Sequence, residues 1–229
     1  MEKSRSDLAQ VRNMICFTPF WKIPNPKILL LGAHPDDIEI GCGGTILRIT
    51  KETPDAQCHW VVFSGNSQRR EEAQKSATSF LKDCNKKKII IENFRDSFFP
   101  FEGSKIKEYF EKLKSEFSPD IILTHYSNDA HQDHRLISDL TWNTFRNQLI
   151  LEYELPKYDG DIGHPNVFVN LEGKYVTEKI DNICSFFQSQ QNKQWFDKET
   201  FRAILRLRGI ECNASSKLAE AFYCKKAIM

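Results

Sequence analysis

Lys27-Ile28-Leu29-Leu30-Leu31-Gly32-Ala33-His34-Pro35-Asp36-Asp37 is the stretch that decides the fold. Residues 28–31 form an apolar run without alternation, the pattern of a strand covered on both faces inside a parallel sheet. Open α/β sheets collect their working residues just past the carboxyl ends of such strands. Here that position carries one imidazole, His34, and two carboxylates, Asp36 and Asp37. A second cluster, His131-Gln132-Asp133-His134, follows another apolar run at residues 120–124.

Outward from this stretch the pattern alternates between strand and helix. Helix is expected over 43–51, 68–84, 105–117 and 135–147, and strand over 59–64, 88–91 and 120–124. Pro119 ends the third of these helices. An aromatic loop, residues 94–101, is placed to border a pocket. Residues 149–155 and 166–171 read as strands or strand-like connections, 176–188 and 198–208 as helices, and 221–225 as a short edge strand. The expectation is an α/β fold with a mostly parallel central sheet. Residues 1–26 read as an extension laid on a domain of residues 27–229, with Phe17, Phe20 and Trp21 expected to pack.

With 229 residues, 40% hydrophobic and 28% charged, the chain suits one such domain. A net charge of +1 offers no field for gripping a phosphate backbone, so no nucleic-acid partner is expected. Lys86-Lys87-Lys88 reads as a solvated lead-in to a strand. Seven scattered cysteines with no C-x-x-C spacing argue against a disulfide framework and for a reducing cytoplasm. No apolar run approaches the roughly 20 residues of a spanning helix, so a transmembrane segment is not expected.

A catalytic zinc takes three protein donors and keeps one position open. His34, Asp37 and His134 can supply that set, and Asp36, adjacent in sequence to one donor, is the candidate general base. His131 is the candidate oxyanion donor, with Asp133 expected to hold its ring. Alone, either cluster also suits a strand end followed by a capped helix. Together they hold three of the six histidines and favour a metal. His59, His125 and His164 read as structural or peripheral. Gly41-Cys42-Gly43-Gly44 invites comparison with a phosphate-binding loop but lacks G-x-G-x-x-G, and close helix–sheet packing accounts for it better.

These residues resemble the PIG-L / LmbE-like family of zinc-dependent N-deacetylases. The resemblance is carried by Ala33-His34-Pro35-Asp36-Asp37, Gly41-Cys42-Gly43-Gly44, Arg69-Arg70-Glu71-Glu72-Ala73 and Asn128-Asp129-Ala130-His131-Gln132-Asp133-His134-Arg135. It extends over residues 27–225 through His164-Pro165-Asn166 and Ala219-Glu220-Ala221-Phe222. It implies a Rossmann-like three-layer sandwich, Zn2+ or another divalent transition metal on His34, Asp37 and His134, and acid/base work at Asp36. It also implies that His131 aids the oxyanion and that Asp133 tunes it. The implied substrate is a small-molecule N-acetylated sugar or sugar conjugate, with Arg69 contacting it and Asp96 meeting a hydroxyl. For Arg69 and Glu72 the plain alternative is a surface ion pair at helical spacing. Gln132 stands where many relatives have proline, a change expected to alter loop stiffness more than ligation. The competing expectation is a non-catalytic nucleotide or nucleotide-sugar binder using Gly41 to Gly44. Residue pattern leaves a homo-oligomer open.

Overall fold

The protein is described by a computed structural model covering residues 18–228. Among the described residues, seven strands and six α-helices follow one another. They are β1 (Lys27–Gly32), α1 (Asp37–Glu52), β2 (Gln57–Ser64), α2 (Ser67–Phe80), β3 (Lys86–Phe94), α3 (Gly103–Glu116) and β4 (Ile121–His125). The remainder are α4 (Gln132–Thr144), β5 (Leu149–Tyr153), β6 (Val167–Asn170), α5 (Gly173–Phe186), α6 (Lys198–Glu211) and β7 (Ala219–Tyr223). The strands form one sheet in the order β3-β2-β1-β4-β5-β7-β6. The first five are parallel, and β7 runs antiparallel between β5 and β6.

Alternation along β1 divides the core. Leu30 joins the layer with Trp60, Val62, Phe80 and Phe201, whereas Leu29 and Leu31 join Phe63, Ile106, Phe110 and Ile137 on the opposite face. Side chains two apart on a strand share a face, so these are the two sides of the sheet. Helices cover both, giving the expected Rossmann-like three-layer α/β sandwich with a mostly parallel sheet.

Helix α1 begins at Asp37, six residues earlier than the glycines suggest, and is interrupted at Cys42 (φ −144°, ψ 15°). A buried ion pair splints the break. Lys179 Nζ donates to the Ile40 carbonyl at 2.6 Å, and Glu220 accepts the Gly44 and Thr45 N–H groups at 2.8 and 2.6 Å. Lys179 and Glu220 themselves meet at 2.6 Å. The ammonium therefore sits on the carbonyl end of the first segment and the carboxylate on the amide end of the second, each where a helix terminus leaves orphan groups. The glycines serve packing: a Cβ on Gly41 would stand 2.2 Å from the Tyr153 ring, and one on Gly44 2.5 Å from Leu171.

Expected strand 221–225 is β7, and it is an interior strand with β6 at the edge. Glu220 hides this in the sequence, because a charge inside a buried strand is admissible only when paired, and its partner Lys179 is 41 residues away. Helix α2 stops at Phe80, short of Cys84, while β3 starts earlier than expected at Lys86. From the expected extension, Trp21 enters the core, donates to Glu52 at 3.2 Å and lies under the Arg48 guanidinium. Phe20 packs against the same core, and Phe17 lies outside the described residues. Among the described residues no helix is long and apolar enough to cross a membrane.

Candidate metal centre

Strands β1 and β4 are neighbours in the sheet, with Leu29 opposite Ile122, so the segments leaving their carboxyl ends emerge side by side. That adjacency brings residues 100 apart into contact: His34 Nδ1 lies 3.2 Å from His134 Nε2. Asp37 Oδ2 is 3.5 Å from the former and 3.6 Å from the latter. Donors around a tetrahedral ion with bonds of ~2.0–2.1 Å stand ~3.3 Å apart. The three atoms meet that spacing, and two nitrogens with one carboxylate oxygen suit a divalent transition metal.

The second nitrogen of each imidazole faces a carboxylate. His34 Nε2 is 3.1 Å from Asp133 Oδ2 and 3.2 Å from Asp96 Oδ1. His134 Nδ1 is 3.0 Å from Asp129 Oδ2. The hydrogen bond with Asp133 fixes the His34 ring, and the Asp129 charge beside His134 strengthens that imidazole as a donor. Asp133 thereby corrects an expectation: its carboxylate meets His34, not the His131 ring, and also accepts the Ser97 and Phe99 N–H groups at 2.7 and 3.1 Å. What it gives His131 is its backbone N–H, donated to Nδ1 at 3.2 Å, because His131 is the N-cap of α4.

Charge balance favours a cation. Burial opposes protonation of His34, yet Asp133, Asp37 and Asp96 outweigh it and push its pKa well above the usual value. Burial and the neighbouring His125 bring His134 down to about 4, so that ring is neutral at pH 7. A proton held among three carboxylates marks a position where positive charge is stabilised.

Asp36 adopts φ 92°, a left-handed conformation costly for a residue with a Cβ, at the N-cap of α1. Its buried carboxylate accepts from Arg69 Nη2 at 2.9 Å. Burial raises its pKa to about 7, with Arg69 pulling down and Asp37 pushing up. Arg69 also donates to the Pro35 carbonyl. Glu72 turns elsewhere, accepting the Ser189 N–H at 3.0 Å and hydroxyl at 2.6 Å. Arg69 and Glu72 are thus not a surface ion pair. His131 is half-buried, its ring 4.8 Å from that of His34 and 4.5 Å from that of His134. Asp96 stands at the rim with about half its side chain exposed, and the hydrogen bond from His34 lowers its pKa.

His125 is more central than its sequence suggested. Wholly buried, it ends β4, stacks on His134 at 4.1 Å and lies 3.3 Å from Asp37 Oδ2. Its Nε2 accepts the Ala33 N–H at 2.8 Å, which occupies the lone pair a metal would need. Its signal was position alone, the last residue of a strand flanking β1. Asp129 was visible within the familial Asn128-Asp129-Ala130-His131 segment, but nothing in the spacing paired it with His134. As for a phosphate cradle at Gly41 to Gly44, the N–H groups of Gly44 and Thr45 already bind the Glu220 carboxylate.

These contacts define a Rossmann-like α/β protein with a buried histidine–carboxylate centre at the carboxyl edge of its parallel strands. Residues 29–145 match the family described as PIG-L, GlcNAc-PI de-N-acetylase. The chain belongs to that family. It is 29% identical over 164 residues to the uncharacterized deacetylase YaiS of Escherichia coli K12, covering 67% of this chain and 86% of YaiS. The N,N'-diacetylchitobiose deacetylase of Pyrococcus horikoshii shares the fold with a TM-score of 0.67 at 20% identity, over 86% of this chain and 83% of that one. So does GalB, the 4-carboxy-2-hydroxymuconate hydratase of Pseudomonas putida KT2440, with a TM-score of 0.71 at 16% identity, over 89% and 98%. A hydratase on the same fold means that the fold alone does not set the reaction.

Proposed function

We propose that this protein is a zinc-dependent hydrolase that removes the N-acetyl group from an N-acetylated amino sugar or sugar conjugate. The carrying observation is the mutual spacing of His34 Nδ1, Asp37 Oδ2 and His134 Nε2, 3.2 to 3.6 Å. Held by those three residues, zinc would supply Lewis acidity to an amide carbonyl and to water. Asp36 takes the proton of the attacking water. Burial raises its carboxyl above the ordinary carboxylate range, which strengthens it as a base, and Arg69 fixes its direction. His131 accepts the Asp133 N–H on Nδ1, so its ring proton sits on Nε2 and is free to stabilise a developing oxyanion. Asp133 contributes by orienting His34. Asp96, exposed at the rim, and the remaining N–H groups of Arg69 are the proposed contacts for sugar hydroxyls.

The family description and the diacetylchitobiose deacetylase support an acetylated amino sugar as the substrate class. Purified protein is expected to release acetate from N-acetylglucosamine conjugates, to lose that activity on chelation and to regain it with zinc. Asp36→Asn should keep the metal while losing ~100-fold or more in kcat. Full activity after complete metal removal refutes the proposal.

A further inference from the structure

Lys157 lies in the segment joining β5 to β6 and turns inward, with only 11% of its side chain exposed. Its ammonium is 3.1 Å from Asp129 Oδ2, the same oxygen that approaches His134 Nδ1. It also pairs with Asp161, which in turn accepts the Ala130 N–H at 2.6 Å. One ammonium thus gathers Asp129 and Asp161, which hold the chain where it enters α4, with Asp159 a third carboxylate at 3.9 Å.

The support behind Lys157 is rigid. Buried Arg208 grips Glu154 at two points, 2.6 Å each, and donates to the Gly163 carbonyl at 3.0 Å. Gly163 N–H donates to the Tyr223 hydroxyl at 3.0 Å. Glu154 and Gly163 bracket Lys157, so the segment is pinned on both sides of it.

We propose that Lys157 is a positioning residue that acts through Asp129 on His134, holding the Asp129 carboxylate against Nδ1 so that Nε2 stays aimed at the cation. This rests on the ligand role proposed for His134. Asp129 is almost wholly buried, and it and Asp161 share the Lys157 ammonium, so loss of that charge leaves two carboxylates around the place it filled. Asp129 Oδ1 stays on the His131 N–H at 2.7 Å, while Oδ2, no longer held by the ammonium, is free to turn from the imidazole. Lysine fits the task as a compact charge with three donors, able to serve both carboxylates from one atom.

Two roles for this charge predict opposite signs. As a positioning residue, its loss weakens the metal. As a mere neighbouring cation repelling another, its loss tightens it. The test is the zinc affinity of the parent, Lys157→Met and Lys157→Arg, by competition with a chromophoric chelator, together with the visible spectrum of each protein loaded with cobalt. Lys157→Met should bind zinc about tenfold more weakly, the lower end of outer-partner losses, and alter the cobalt bands. Lys157→Arg should restore both. Should Lys157→Met fail to fold, Lys157→Gln, which keeps a donor without the charge, is read with the same expectation. Unchanged or tighter zinc binding in the uncharged variant, with a parent that binds zinc, overturns this role alone. A parent that binds no zinc overturns the proposed function with it.

Discussion

Replacing Lys179 by methionine tests whether the buried pair with Glu220 splints α1 or is an ordinary interior ion pair. Both side chains are 2% exposed. Removing one partner of such a pair costs ~3–5 kcal/mol, because the other charge stays buried. Glu220 would keep the Gly44 and Thr45 N–H groups, which places the loss near ~3 kcal/mol. For a chain of this size that lowers Tm by ~6–12 °C. The decisive variant is the double substitution Lys179→Met/Glu220→Leu. An ordinary buried pair exchanged for apolar side chains is often neutral or stabilising. Here the exchange orphans the Ile40 carbonyl and the Gly44 and Thr45 amides, each worth ~1–3 kcal/mol. The double variant should therefore be no more stable than the single one in thermal melts followed by far-UV circular dichroism. Recovery to within ~1 kcal/mol of the parent refutes the splint, since that is less than one orphaned group.

In the pH profile of kcat/KM, activity should rise as Asp36 loses its proton, with a bound cation bringing the midpoint below about 7. Arg69→Met removes the charge that opposes protonation of Asp36, so its acidic limb should move to higher pH, and movement to lower pH contradicts the assignment. Burial raises Glu39 to about 8 from an ordinary 4.5, so its stabilising contribution is complete below 4.5 and disappears as pH climbs through 8. Glu39→Gln should gain on the parent by a few kcal/mol between pH 5 and pH 9, and melts showing a pH-independent difference exclude this. Gly41→Ala drives a methyl into the Tyr153 ring and should cost ~1–3 kcal/mol by overpacking, whereas an unchanged Tm shows that helix and ring part freely.

How much of this was legible follows from what acts locally. Residues 28–31 carry enough apolar pattern to announce β1, and the acidic histidine cluster behind them announces a site at its end. The parallel direction of β2, β3 and β4 also follows, since the helices between them act as crossovers. Hidden were features settled by partners distant in sequence. Glu220 looks like a break in β7 until Lys179 is placed beside it, and the start of α1 lies in the acidic stretch ahead of Gly43, which reads as loop. Asp133 was misdirected for the same reason. Two residues from His131, it seemed the natural partner of that ring, while its carboxylate was committed to His34 and to the backbone of Ser97 and Phe99.

Those commitments show why the β4–α4 connection carries so much of the site. Asp129 faces His134 from the start of the segment and is held by Lys157 of the β5–β6 segment. Asp133 faces His34 from the first turn of the helix and is held by the segment after β3. Gln132, at the first helical position, adds a bond from its side-chain amide to the Ser97 carbonyl at 2.5 Å. Proline at that position would suit the helix start equally well but has no such donor. The substitution therefore leaves the imidazole geometry to the two carboxylates and instead ties α4 to the aromatic segment at the rim, where Phe101 and Asp96 meet solvent. Imidazole geometry and rim geometry are in this way set by different residues of one short stretch, Asp129 and Asp133 for the first and Gln132 for the second.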